Sequence, residues 1–157
     1  MQTSTVNDDW RQAHLGFWLG QASQRFDARV LSLMARDVEV PLALSNLAAR
    51  GHLGASHVHL TRHLAVHGSR LTDLARRASM SKQSMGKLVD QCEAWGLVRR
   101  RPEPSDARAR RIVFTPVGLA WLQAFRRAVT QTQAEFRAAV GVEVAAVIEL
   151  GLEAYVA

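Results

Sequence analysis

The stretch RLTDLARRASMSKQSMGKLVDQCEAWGLVRRRPEPSDARARRIVFT, Arg70 to Thr115, decides how the rest of the chain is read. Between Arg70 and Arg111 it holds eleven Lys and Arg against five Asp and Glu, a surplus of six. The 157-residue chain has a net charge of +6, so the remainder is neutral. A basic surplus confined to one compact segment is the electrostatic footprint of a surface that docks on a phosphate backbone.

The segment opens with a short helix, in which Leu71, Leu74, Ala75 and Ala78 recur at helical spacing and Thr72 is placed to cap the first turn. A tight connection through Ala78-Ser79-Met80 leads to Ser81, which caps a second helix running to Trp95. Met85, Leu88, Val89, Cys92 and Trp95 form one stripe for burial on that helix. Ser81, Lys82, Gln83, Ser84 and Lys87 crowd the polar face of its N-terminal half, the end of a recognition helix that enters a major groove. Gln83 suits adenine, Lys82 suits guanine or a phosphate, and Arg76 and Arg77 suit the backbone.

Gly96 ends the helix, because glycine takes left-handed geometry at little steric cost. Two strands are expected at Val98 to Arg101 and Arg110 to Thr115, with Val98, Ile112 and Phe114 inward and Pro102 and Pro104 keeping the tip out of regular pairing. The result is a helix-turn-helix with a basic wing. Arg108, near the wing tip, is the candidate for insertion into the adjacent minor groove, with Arg110 beside it. Asp106 is expected to brace the wing by pairing with an arginine or with wing amides.

These residues resemble the winged helix-turn-helix core of the MarR family, the multiple-antibiotic-resistance-type regulators. The pattern D-x-R, here Asp106 and Arg108, followed by Phe114, Thr115 and Gly118, carries the resemblance together with the strand opening Gly96-Leu97-Val98. It spans about a third of the chain. It implies a mostly α fold with a small β wing, a single domain over residues 1–157, a DNA-binding lobe at 55–115, and dimerisation helices at 9–40 and 116–157. It further implies an obligate homodimer that binds a pseudo-palindromic operator in double-stranded DNA, usually as a repressor released by a small ligand, oxidant or metal. The short link Gly68-Ser69-Arg70 leaves the pairing of a small third strand open.

The flanks are more apolar than a docking module requires. Leu15, Trp18, Leu19, Ala22, Phe26, Val30 and Leu33 form a helical stripe between Asp9 and Val38. After Thr115 and Pro116, an N-cap followed by proline at the first helical position, Leu122, Phe125, Val129, Thr132, Phe136 and Val140 continue the same period until Gly141. A last helix, Val142 to Val156, places Val144, Ala145, Ile148, Leu152 and Tyr155 on one face. Such stripes cover their own core or meet the same helices of a second copy, and the second is expected here.

Other residues invite sharper readings. Cys92 sits on a buried stripe, where a thiol is inert, so a structural role is expected in preference to oxidant sensing. His59, His63 and His67 follow an i, i+4, i+8 pattern compatible with a shared metal, yet no second cysteine or nearby carboxylate completes a tetrahedral set. A solvated polar face is expected there, with no metal and no cofactor. In the resembling family an effector pocket lies between the dimer helices and the DNA-binding lobe. That resemblance places Trp18, His57 and His59 in range of a small molecule such as an aromatic acid.

Composition agrees. A chain of 157 residues that is 48% apolar can bury one core, and it has no apolar run long enough for a membrane span. The N-terminus MQTSTVNDDW has no basic n-region or apolar h-region, and one cysteine forms no internal disulfide, so a cytoplasmic location is expected. A protein-interaction module would use the basic face on an acidic partner, but Arg108, Arg110 and Arg111 suit a duplex groove better. An enzyme is disfavoured, since there is no glycine-rich phosphate loop, no serine nucleophile elbow and no paired carboxylates on one face.

Overall fold

The computed structural model describes residues 8–157. A 3-10 turn at Asp9–Gln12 precedes α1 (Leu15–Met34). This helix starts at the first residue of its apolar stripe, where His14 caps it, Nδ1 accepting the Phe17 amide at 3.2 Å. Helix α2 (Leu42–Ala49), which the sequence reading did not resolve, follows Pro41 and buries Leu44 and Ala48. Then come α3 (Ala55–His63), β1 (Ser69–Arg70), α4 (Leu71–Arg77), α5 (Lys82–Ala94), β2 (Val98–Glu103), β3 (Asp106–Phe114), α6 (Pro116–Val140) and α7 (Val142–Val156).

Several boundaries correct the sequence reading. Helix α4 begins one residue before Thr72, with Arg70 at the N-cap and no side-chain cap, so Thr72 lies inside the first turn. Helix α3 stops at His63 because Leu64 turns extended, and His67 therefore falls outside it, which ends the i+8 relation of the histidines. Both wing strands run further than expected. Pro102 pairs with Arg110 and Glu103 with Asp106 across an irregularity in register. The strand order is β1-β3-β2, so β2 is an edge strand, where a proline lacking its amide hydrogen removes no ladder bond from a neighbour.

The remaining local signals behave as the residue types demand. Ser81 Oγ accepts the Ser84 amide at 3.0 Å and starts α5. Met85, Leu88, Val89 and Cys92 are buried along its inner stripe, with Trp95 partly buried at its end. Gly96 follows with φ +73°. The third strand forms: Ser69 pairs with Ile112 and Arg70 with Arg111. Val98, Ile112 and Phe114 face the core, all buried.

One close approach joins the wing to the long helix. The Leu97 carbonyl accepts the Thr115 amide at 3.1 Å, and the Thr115 hydroxyl donates to the neighbouring Gly96 carbonyl at 2.5 Å. The same hydroxyl oxygen caps α6 by accepting the Gly118 amide at 3.0 Å. A Cβ on Gly118 would stand 1.9 Å from the Leu97 oxygen, so only glycine fits. One turn further, Trp121 is buried and its Nε1 donates to Thr61 Oγ1 at 3.1 Å.

Helices α1 and α6 lie together, tied by Arg29 to Glu135 at 2.7 Å, and Arg127 of α6 reaches Asp37, just past the end of α1, at 2.8 Å. The Arg29 guanidinium pulls the Glu135 carboxyl down to about 2, so that tie is lost only as the pH falls through that value. Arg62 on α3 reaches Asp27 on α1 at 2.8 Å. Helix α7 stands outside this core. Glu149 holds it to Gln133 and Arg137 of α6, and of its residues only Ala145 is buried.

Two substitutions test this packing. Gly118→Ala forces the first turn of α6 off the Leu97 carbonyl and should destabilise the fold by about 1–3 kcal/mol, read as a lowered urea midpoint. An unchanged midpoint would show that α6 can move away without cost. Burial also pushes the Cys92 thiol up to about 12. The folded chain should therefore leave Ellman's reagent unreacted at pH 8 and consume one equivalent once unfolded. Rapid reaction of the native protein would overturn the inert assignment.

Candidate nucleic-acid interface

The helix-turn-helix is α4, the turn through Ser79 at φ +52°, and α5. Leu74, Ala75 and Ala78 of the first helix and the inner stripe of the second are buried. This packing presents the N-terminal half of α5 outward: Ser81, Lys82, Gln83, Ser84 and Lys87 are all exposed. Arg76 and Arg77 are exposed on α4, and Arg108 and Arg110 on β3 of the wing. The sequence-predicted set thus lies on three elements of one lobe, α4, α5 and β3.

All five acids between Arg70 and Arg111 accept hydrogen bonds inside the segment. Asp73 accepts from Arg76 at 3.3 Å. Asp90 accepts from Arg100 at 2.6 Å, and Glu93 takes both the Arg100 amide at 2.9 Å and its guanidinium. Glu103 accepts from Arg70 and Arg111. Asp106 Oδ1 accepts the Arg108 amide at 3.0 Å, fixing the backbone just before the wing-tip arginine. Lys82, Lys87, Arg99, Arg101 and Arg108, by contrast, are exposed with no side-chain partner among the described residues. The acids serve as internal braces while positive charge is left to face outward.

The roles of individual cations follow from these partners. Arg77 is partly committed, its Nη2 donating to Ser69 Oγ at 2.9 Å. Arg100 pins the start of β2 to the far half of α5, so the wing and the recognition helix keep a fixed relation. Arg111 belongs to the Glu103 clamp and also reaches the His67 carbonyl at 3.4 Å. Sequence reasoning named Asp106 but missed Glu103 and Arg100. Cross-strand register decides which arginine meets which acid, and no local pattern encodes it.

The three effector candidates are dispersed. Trp18 on α1 is 59% exposed and packs edge-on against Phe17, ring centres 5.0 Å apart. His57 is buried at the start of α3. Its Nδ1 accepts the Gly54 amide at 3.0 Å, which leaves Nε2 to donate to Gln91 Oε1 of α5, also at 3.0 Å. Its ring lies 4.7 Å from Trp95. His59 Nε2 donates to the Ala78 carbonyl at 2.9 Å, and its ring sits 4.5 Å from His63. Burial, with the nearby His59, Arg62 and Arg77, pushes the His63 imidazole down. No group of three or more potential metal-ligating His, Cys, Asp or Glu comes together among the described residues. Two open clefts run along α6, lined by Leu122, Phe125, Arg126, Thr130 and their neighbours. Among the described residues, no helix is long and apolar enough to cross a membrane.

Comparison with known proteins places this lobe. Residues 53–109 match the model of the MarR family. No curated protein matches the chain in sequence. Solved structures match over nearly the whole length. The transcriptional repressor CouR bound to a 23-mer DNA duplex is 19% identical, with 93% of this chain and 94% of that one covered and a TM-score of 0.69. Wild-type MarR from E. coli in its apo form is 18% identical, covering 92% and 98%, with a TM-score of 0.66. A MarR family protein of Mycobacterium tuberculosis in complex with p-aminosalicylic acid is 20% identical, covering 92% and 99%, with a TM-score of 0.63. These likenesses establish the fold. The family's own match, residues 53–109, falls on the helix-turn-helix and the first part of the wing.

Proposed function

We propose that the chain is a homodimeric, sequence-specific regulator that represses transcription from a pseudo-palindromic operator and is released by a small aromatic acid. The observation that carries this reading is the division of charge in the docking segment. Its acids are occupied internally, and Lys82, Lys87 and Arg108 are left outward on the recognition helix and the wing. Gln83 would read a base edge, Ser81 and Ser84 would approach the phosphates at the helix start, and Arg76 and Arg77 would hold the backbone. Arg108 and Arg110 would serve the minor groove, with Asp106 as the brace.

The dimer reading rests on apolar surface. Val147 is 70% exposed, Leu150 65% and Tyr155 81% on α7, and Leu15 and Trp18 project from the start of α1. That much apolar surface on terminal helices suits burial against a second copy. The effector reading rests on the aromatic acid bound by the Mycobacterium tuberculosis relative and on His57 and His59, which, unlike Trp18, bond to the helix-turn-helix. An acid entering there would exchange its own contacts for those that His57 and His59 make with Gln91 and Ala78, and so disturb the recognition helix.

Selection of bound genomic fragments, followed by titration of the selected operator, tests the reading. Arg108→Ala should weaken operator binding by about 1–3 kcal/mol with an unchanged circular dichroism spectrum, and undiminished affinity would remove the wing from the interface. Gln83→Ala should relax preference at one base of each half-site, whereas Arg77→Ala should weaken all sequences alike. Equal effects across sequences for both would misplace Gln83.

A chain ending at Val140 should lose the dimer and its operator affinity together. Two half-sites about one helical turn apart, roughly 34 Å, require two docking units at fixed spacing. A soluble truncated dimer with full affinity would confine α7 to its own subunit. Salicylate should raise the melting temperature of the free protein and lower its operator affinity, by linkage between the two sites.

A further inference from the structure

The wing contains an acid that charge alone argues against. Glu103 is 6% exposed, inside the most basic part of the chain. Its Oε1 accepts from Arg111 Nη2 at 2.9 Å, and its Oε2 accepts from Arg111 Nε at 3.2 Å and from Arg70 Nε at 3.3 Å. The register explains why it is needed. Arg70 pairs with Arg111, and Arg111 with Arg101, so three arginines stand in one row across β1, β3 and β2. Directly opposed residues of antiparallel strands share a face, and like charges so placed destabilise the pair. Glu103 lies two residues beyond Arg101, on the same side of the strand. It turns the repulsive row into a clamp on two of the three cations.

We propose that Glu103 is a positioning residue for DNA binding: held by Arg70 and Arg111, it fixes the β2–β3 hairpin against β1 and sets how Arg108 meets the duplex. The two guanidiniums, Arg111 foremost, hold the Glu103 carboxyl below the usual carboxylate range, so it stays charged in this role. The inference rests on the wing being a DNA contact. It differs in sign from simple electrostatics. Glu103→Gln removes one negative charge and so raises the net charge of the interface by one, which by counterion release should tighten binding to any duplex. A positioning role requires the opposite result at the operator.

The test uses the full chain, an operator duplex and a random duplex of equal length, titrated at several salt concentrations. Glu103→Gln should weaken operator binding roughly tenfold, within the range of coupled neighbouring residues, and leave random-duplex binding equal or stronger. In an Arg108→Ala background, Glu103→Gln should cost little further operator affinity, because a clamp that acts through Arg108 has nothing left to position. A purely structural role would weaken both duplexes and add fully to Arg108→Ala.

Arg111→Lys keeps the charge but loses the two-point grip on the carboxylate, so it should reproduce the operator defect. It decides the matter if Glu103→Gln does not fold. Equal or tighter operator binding by Glu103→Gln, full additivity with Arg108→Ala, or normal binding by Arg111→Lys would each overturn the proposal. If Arg108→Ala alone has no effect, the wing reading itself fails and takes the proposal with it.

Discussion

The carbonyl of Leu97 is the point on which the two halves of the molecule depend. It takes the amide of Thr115 while the Thr115 hydroxyl donates to the adjacent Gly96 carbonyl, so the end of β3 and the start of α6 are fixed to the start of β2. Gly118 makes this possible by presenting no side chain to that oxygen. Once α6 leaves at that angle, Trp121 is carried onto α3 and meets Thr61. Thr61 in turn donates to the His57 carbonyl, and His57 reaches Gln91 on the recognition helix. Trp121, Thr61 and His57 in this chain are buried and their polar atoms satisfied, the arrangement that favours one packing over its competitors.

Charge is organised by a different rule. Most of the ion pairs that tie α1, α3 and α6 together are at least partly exposed, and exposed pairs add little stability one by one. Their value lies in geometry, since each joins elements distant in sequence. Within the docking segment the same device has a second effect. An acid already paired with an internal arginine contributes little repulsion toward a phosphate, so the outward field is set by the lysines and arginines that have no such partner. Arg100 shows the principle: one guanidinium holds both Asp90 and Glu93 of α5, fixing the wing's first strand to the recognition helix.

What was legible in the sequence was local. Ser81 and Thr115 each cap within three residues of themselves, and Gly96 takes its left-handed turn for reasons contained in its own backbone. The buried stripe of α5 follows from a period that packing respects. The errors came where a neighbour in space decides. Thr72 could cap a helix, but the chain leaves its pairing of Arg70 with Arg111 directly into α4, two residues earlier than a Thr72 cap would start it. Pro102 looked like a strand terminator, yet on an edge strand its missing amide hydrogen faces away from the ladder. Helix α2 was missed because eight residues carry too little periodicity to stand out, although Pro41 before it was a usable signal. Glu103 was passed over in favour of Asp106 because sequence alone does not say which acid faces the arginine row.

The terminal helices complete the argument by their position. Because α6 begins at the wing and ends at α7, its 25 residues span the molecule from the docking lobe to its most apolar exposed surface. At about 1.5 Å per residue, a helix of this length sets a distance of nearly 40 Å that side-chain motion cannot absorb. In the proposed dimer the separation of two recognition helices would be set by how two copies of α1, α6 and α7 meet, and by the rigid junctions at Leu97 and Trp121. A lobe attached in this way cannot change its spacing to the other lobe while α6 stays still. Any ligand that alters the angle between the two copies of α6 would therefore move both docking units at once, and an operator with fixed half-site spacing would register that as lost affinity.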